Sequence, residues 1–125
     1  MPRYSAFNLT KHVLIASDIE AADSCWRRMK GLIGRSAREF SVGQGLWIMP
    51  CKGIHTIGMS FPIDVVYLDE TCHVLCLYHR LVPFRLAALK LKARSVLELA
   101  AGTLSDNGTT IGDKLEIRPS NYPGD

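Results

Sequence analysis

Apolar residues fall along this chain with two different periods, and the change between them divides it. Ala22, Cys25, Trp26, Met29 and Leu32 recur at spacings of three and four. That stripe predicts an amphipathic helix over about residues 18–33. Ser17 followed by Glu20 reads as a capping box at its start. Arg27, Arg28 and Lys30 fall off the stripe towards solvent, and Gly31 or Gly34 supplies the stop.

Elsewhere the apolar positions come in runs of strand length. His12 to Ala16 is one, and Gly45 to Met49 is another, ended by a break over Pro50–Gly53. His55 to Phe61 reads as extended. Pro62 cannot donate to a ladder and marks an edge, a bend or a strand start. Ile63 to Leu68 reads as a buried strand, with Asp69–Cys72 as a hairpin loop and His73–Tyr78 as its partner. Ser95–Leu99 is a further strand, broken at Ala100-Ala101-Gly102. Thr103 then caps a single helical turn ended by Asn107-Gly108, Ile111-Gly112-Asp113 turns, and Lys114–Ile117 closes. Ser36–Gln44 and Leu81–Ala93 carry no clear period and read as loops. The pattern predicts one mainly-β domain over residues 1–125, with its core at about 10–118 and tails at both ends. Its fold class is a small β-sandwich or jelly-roll-like barrel with one N-terminal helix.

Composition narrows the classes. Apolar residues at 47% and charged residues at 22% fit a globular protein and exclude a disordered one. No apolar run approaches the roughly 18 residues of a membrane span. The N-terminus, Met-Pro-Arg-Tyr-Ser-Ala-Phe-Asn, lacks the apolar core of a signal peptide, so a soluble cytoplasmic protein is expected. The net charge of +3 is spread along the chain and predicts no nucleic-acid partner. Four cysteines, Cys25, Cys51, Cys72 and Cys76, form no Cys-x-x-Cys pair. On a shared strand Cys72 and Cys76 lie about 13 Å apart, beyond disulfide reach. Free thiols in a reducing compartment follow.

Asp64 is the sharpest chemical feature, a carboxylate at the head of an apolar strand. If buried it needs partners, because a lone buried charge is very costly. It is either a general base or ligand anchor, or a loop holder that accepts backbone N–H groups or pairs with Arg28 or Arg35. His55 could meet it across a bend to form a proton-transfer pair, or be a satisfied structural histidine. Cys51, His55 and Met59 have soft-metal chemistry, but a spacing of four along a strand puts neighbours about 13 Å apart, which excludes a shared ion. No metal or cofactor is expected. Glu98 lies in an apolar strand whose alternation points it outward, towards a salt bridge with the helix. Trp47 is core, or at an edge a stacking platform. Phosphate-type glycine loops and nucleophile elbows are absent.

Several fragments occur in order: Arg28 to Arg35, Gly45 to Ile48, Met59 to Asp69, Val96 to Gly102, and Gly112-Asp113. Together they resemble family 192 of the domains of unknown function, also called uncharacterised protein family 0127. The likeness spans about residues 10–118. It implies a compact β-sandwich or jelly-roll-like domain with one long helix, found in bacteria and archaea, and brings no established reaction or cofactor. Its signature falls on Arg28, Gly31, Arg35, Pro62, Glu98, Gly102, Gly112 and Asp113. The chain departs from it at His55-Thr56-Ile57-Gly58-Met59, where many members carry Trp-Met-x-Asn-Thr, and at Cys72, where Gly is usual and a different turn is therefore expected.

The leading functional expectation is a module that binds a small polar ligand or peptide in a groove near Trp47, His55, Thr56 and Asp64. One alternative is a small enzyme using Asp64 and His55 for acid–base work. The other is an accessory protein that docks a protein partner, which predicts an exposed apolar patch.

Overall fold

The computed structural model describes residues 3–22 and 40–120. The elements run β1 (Arg3–Asn8), β2 (Val13–Ala22), β3 (Gln44–Ile48), β4 (Ile63–Leu68), β5 (Val74–Leu81), β6 (Ser95–Ala100), α1 (Thr103–Asn107) and β7 (Leu115–Pro119). The strands form a single seven-stranded sheet, ordered β5-β4-β6-β3-β2-β1-β7. Its two outer strands meet at one end. There Val74 N donates to Asp113 O at 2.9 Å, Gly112 N to Val74 O at 2.8 Å, and Leu115 N to Cys72 O at 2.9 Å. The mainly-β expectation therefore holds as one sheet curled into a half-barrel.

The start of the predicted helix is corrected. Residues 18–22 are strand, with Asp18–Ala22 paired in parallel to Gln44–Ile48. Ser17 and Asp18 sit where the β1–β2 register shifts, and both their amides donate to Gly43 O, at 3.1 and 2.9 Å. Polar residues at a β-bulge thus imitated a capping box. Asp18 and Glu20, two apart on one face, both reach Arg3, at 3.2 and 3.1 Å, a strand period rather than a helical one. The rest of that helix, with Arg28, Gly31 and Arg35, lies outside the described residues.

Strands β4 and β6 are buried at every position. Alternation sorts their side chains into two apolar clusters. Ile63, Val65, Tyr67 and Val96 face Leu46 and Ile48, under a cover of Phe40, Cys51, Ile54, Met59, Phe61 and Ala93 from the connecting segments. Val66, Leu68, Leu97 and Leu99 face Ala6, Ile19, Leu104 and Leu115. Strands from both ends of the sheet supply this second cluster, so it fills the inside of the curl. Each fully buried Leu or Ile contributes about 1.5–3 kcal/mol through burial. Covering on both faces also corrects Glu98: it stands opposite Leu46 and Val65 and is fully buried, not outward.

Pro62 directly precedes β4, in keeping with a strand start. The single helical turn is present, but Gly102, at φ 95°, holds the cap position in place of Thr103. The different turn expected at Cys72 is corrected: Cys72 itself takes the left-handed conformation, at φ 62°, at the expense of strain.

Candidate functional site

Asp64 lies on the inner face of β4, opposite Leu99, with no exposed surface. Strand β5 carries an extra residue between Tyr78 and Leu81 relative to β4, and Arg80 takes φ 52° there. The bulge turns the Arg80 amide inward, and it donates to Asp64 Oδ1 at 2.8 Å. The other oxygen accepts Leu104 N, in the first turn of α1, at 2.8 Å. Gly102 has no side chain to cap that turn, so the carboxylate of a distant strand caps it instead.

The segment 51–62, expected as partly extended, is irregular. His55 makes an isolated bridge with Leu86, and Met59 N turns back to Thr56 O at 3.2 Å. Gly58 at φ 89° permits that turn, which breaks the extended run. His55 Nδ1, half-buried, accepts Ile57 N at 3.2 Å. Thr56 is fully buried and ties down the segment 82–94, which crosses above it. Its hydroxyl donates to Val82 O at 2.7 Å and accepts Arg85 N at 2.9 Å. Its backbone takes Phe84 N at 3.0 Å and donates to Arg85 O at 2.9 Å.

The anchoring continues along this strap. Ala87 N donates to Ile54 O at 2.9 Å. Two tyrosines hold the backbone of Ala88: Tyr67 donates to its carbonyl at 2.5 Å, and its amide donates to Tyr78 at 2.8 Å. Burial, then the neighbouring Tyr78, pushes the Tyr67 hydroxyl well above its ordinary range, which keeps its proton for that bond. Lys52 Nζ donates to Leu91 O at 2.6 Å and Ala93 O at 3.0 Å.

The strap's backbone is thereby satisfied from beneath while its large apolar side chains stay in solvent. Phe84 is 66% exposed, Leu86 77%, Leu89 70% and Leu91 77%, with Val82 and the neighbouring Ile57 about half exposed. Phe84 also has φ 62°, an outlier for a bulky residue. Between Glu70 and Glu98 the sequence holds no acidic residue but five Lys or Arg: Arg80, Arg85, Lys90, Lys92 and Arg94. The segment expected as a loop over Leu81–Ala93 thus carries the cationic cluster Arg85, Lys90, Lys92 and Arg94 among exposed leucines.

The four expected groove residues are thus divided. His55 and Thr56 form the base of the strap, whereas Asp64 and Trp47 belong to the inner face. Trp47 packs edge-on against Tyr4, centroids 5.4 Å apart, its buried indole N–H without a hydrogen-bond partner among the described residues. A cavity of about 520 Å³ opens at the strap's far end, lined by Lys52, Asp69, Glu70, Thr71, Lys92 and Arg94 together with Leu91 and Ala93. Asp69 there caps its own turn, accepting Thr71 N and His73 N at 2.9 Å. Asn8, which the pattern did not single out, is buried and donates to Thr109 at 3.0 Å and Asp113 at 2.9 Å. Burial would raise the Asp113 carboxyl; the bonds from Lys11, Asn8 and the Thr110 amide outweigh it and hold its pKa at about 2. Among the described residues no three His, Cys, Asp or Glu side chains converge to hold a metal ion.

The domain family DUF192, described as "Uncharacterized ACR, COG1430", matches residues 7–117. No curated protein matches the chain. Two crystal structures share its fold. One, of a protein of unknown function from Novosphingobium aromaticivorans, is 19% identical with a TM-score of 0.72, covering 91% of this chain and 83% of that one. The other, named a "putative transcription regulator", from Sinorhizobium meliloti, is 20% identical with a TM-score of 0.74, covering 97% of this chain and 95% of that one.

Proposed function

We propose, for a chain that belongs to the uncharacterised family DUF192, that the protein is a docking module whose 82–94 strap seats on a partner surface. The observation that carries this is a fixed backbone beneath exposed Phe84, Leu86, Leu89 and Leu91. Single exposed apolar residues are ordinary, but several in one anchored segment mark an interaction surface. Anchoring also lowers the ordering entropy lost on docking. Acid–base chemistry at Asp64 fits less well, because both carboxylate oxygens already accept backbone amides inside the sheet.

The test is photocrosslinking in the cell that makes the protein, with a benzophenone side chain in place of Leu89. A discrete adduct that disappears when Leu86 and Leu91 are changed to Ser supports docking. A benzophenone in place of Leu14, which is 53% exposed on β2, is the control. Equal labelling from both positions, or no adduct to either protein or lipid from the strap, refutes the reading.

A further inference from the structure

The strap's composition separates the classes of partner. Residues 82–94 read Val-Pro-Phe-Arg-Leu-Ala-Ala-Leu-Lys-Leu-Lys-Ala-Arg, without one hydroxyl, amide or carboxylate side chain. Protein–protein interfaces carry about one hydrogen bond per 100–200 Å² and are depleted in Lys and Ala. Asp69 and Glu70 share a cavity with Lys92 and Arg94 at the strap's far end, but the strap's own side chains are all apolar or cationic. That combination has the chemistry of the membrane interface, where apolar groups enter the acyl boundary and cations meet lipid phosphates.

The state of the cations points the same way. Among the described residues, Arg3 meets Asp18 and Glu20, Lys11 meets Asp113, and Arg118 meets Glu116, whereas the exposed Arg80, next to the strap, has no carboxylate partner. Lys90, Lys92 and Arg94 are exposed, and their side chains make no hydrogen bond or ion pair with another described residue. No helix among the described residues is long and apolar enough to cross a membrane.

We propose that the strap seats on an anionic lipid bilayer surface. Phe84, Leu86, Leu89 and Leu91 enter the headgroup–acyl boundary, and Arg85, Lys90, Lys92 and Arg94 face the phosphates. This rests on the docking reading above. Apolar insertion and charge attraction act together, so both are needed for stable residence.

The experiment is co-sedimentation of the full chain with vesicles of phosphatidylcholine alone and of phosphatidylcholine mixed with phosphatidylglycerol. The wild-type chain partitions onto the anionic vesicles only, and less at high salt, as screening shortens the reach of the charges. Each removed cation lowers partition about fivefold, so K90Q/K92Q loses about 25-fold. L89S/L91S loses tenfold or more through the apolar contact, as each methylene withdrawn from lipid weakens it about fourfold. Leu14→Ser, on β2 and outside the strap, leaves partition unchanged. All five positions are exposed, and unchanged circular dichroism verifies the fold. Absence of binding to anionic vesicles, equal binding to neutral ones, or equal loss with Leu14→Ser overturns the lipid assignment. If vesicles fail while the Leu89 crosslinker captures a protein, the lipid assignment falls and docking stands. If both fail, both fall.

Discussion

Replacing Asp64 with Asn tests whether the carboxylate is a structural clasp. The two side chains are nearly isosteric, so packing against Leu99 and its neighbours changes little. The Asp64 oxygens accept Arg80 N and Leu104 N, both at 2.8 Å and fully out of water. In Asn one of those atoms becomes an NH₂ that faces a backbone N–H, donor against donor. A hydrogen bond to a charged acceptor contributes about 1.5–3 kcal/mol, and a buried donor left unpaired costs a further 1–3 kcal/mol. The expected loss is about 3–4 kcal/mol, a large part of the roughly 5–15 kcal/mol that holds a domain folded. Urea unfolding reads the loss as a lower midpoint, and amide hydrogen exchange locates it at Leu104 or Arg80. A loss under about 1 kcal/mol, with both amides still protected, would refute the clasp and return Asp64 to acid–base chemistry.

Thr56→Val removes the acceptor of Arg85 N and the donor to Val82 O; it should destabilise by about 2 kcal/mol and speed exchange at the Arg85 amide. Cys72→Gly relieves a left-handed residue at φ 62° and should raise the unfolding free energy by about 0.5–1 kcal/mol in a urea titration. Phe84→Gly should stabilise by a similar amount while crosslinking from position 89 falls, a gain and a loss that a purely structural Phe84 would not combine. The folded-state pKa of Asp113 is depressed to about 2, so its stabilisation is complete above the ordinary carboxylate range and is lost as pH falls from about 4 through 2. Urea midpoints between those pH values should fall less in Asp113→Asn than in the wild-type chain.

Strand positions were legible wherever burial and alternation agreed. β4, from Ile63 to Leu68, emerges from its apolar run with both boundaries intact, and the hairpin that follows it is present, although its partner strand, expected over His73–Tyr78, runs Val74–Leu81 through a bulge. β1 was missed because Arg3-Tyr-Ser-Ala-Phe-Asn is too polar to register as a run; its pairing comes from β2 and β7, which lie far off or across a turn. Ser17 to Glu20 misled because a bulge and a helix cap both favour short polar side chains. Asp64 was legible as an anomaly, but its partners lie 16 and 40 residues away and could not be named from spacing. Thr56 was legible only as a neighbour of His55. Its role depends on a crossing segment that carries no periodicity of its own.

The strap breaks local rules in a way that folding alone does not require. Gly or Asn would take φ 62° at position 84 with little or no strain, yet a phenylalanine stands there with most of its surface in water. Its conformation costs about 1–3 kcal/mol, and its ring recovers little of that by burial. Polar residues at 86, 89 and 91 would leave every anchoring bond intact, because those bonds run through backbone atoms of the strap and side chains beneath it. Thr56, Tyr67, Tyr78 and Lys52 therefore hold in place a set of side chains that contribute almost nothing to the core below. Local choices that oppose stability belong at functional sites. Here the opposed choices are apolar, exposed and interleaved with cations that pair with no carboxylate among the described residues, which is why we place the function on the strap rather than on the buried carboxylate.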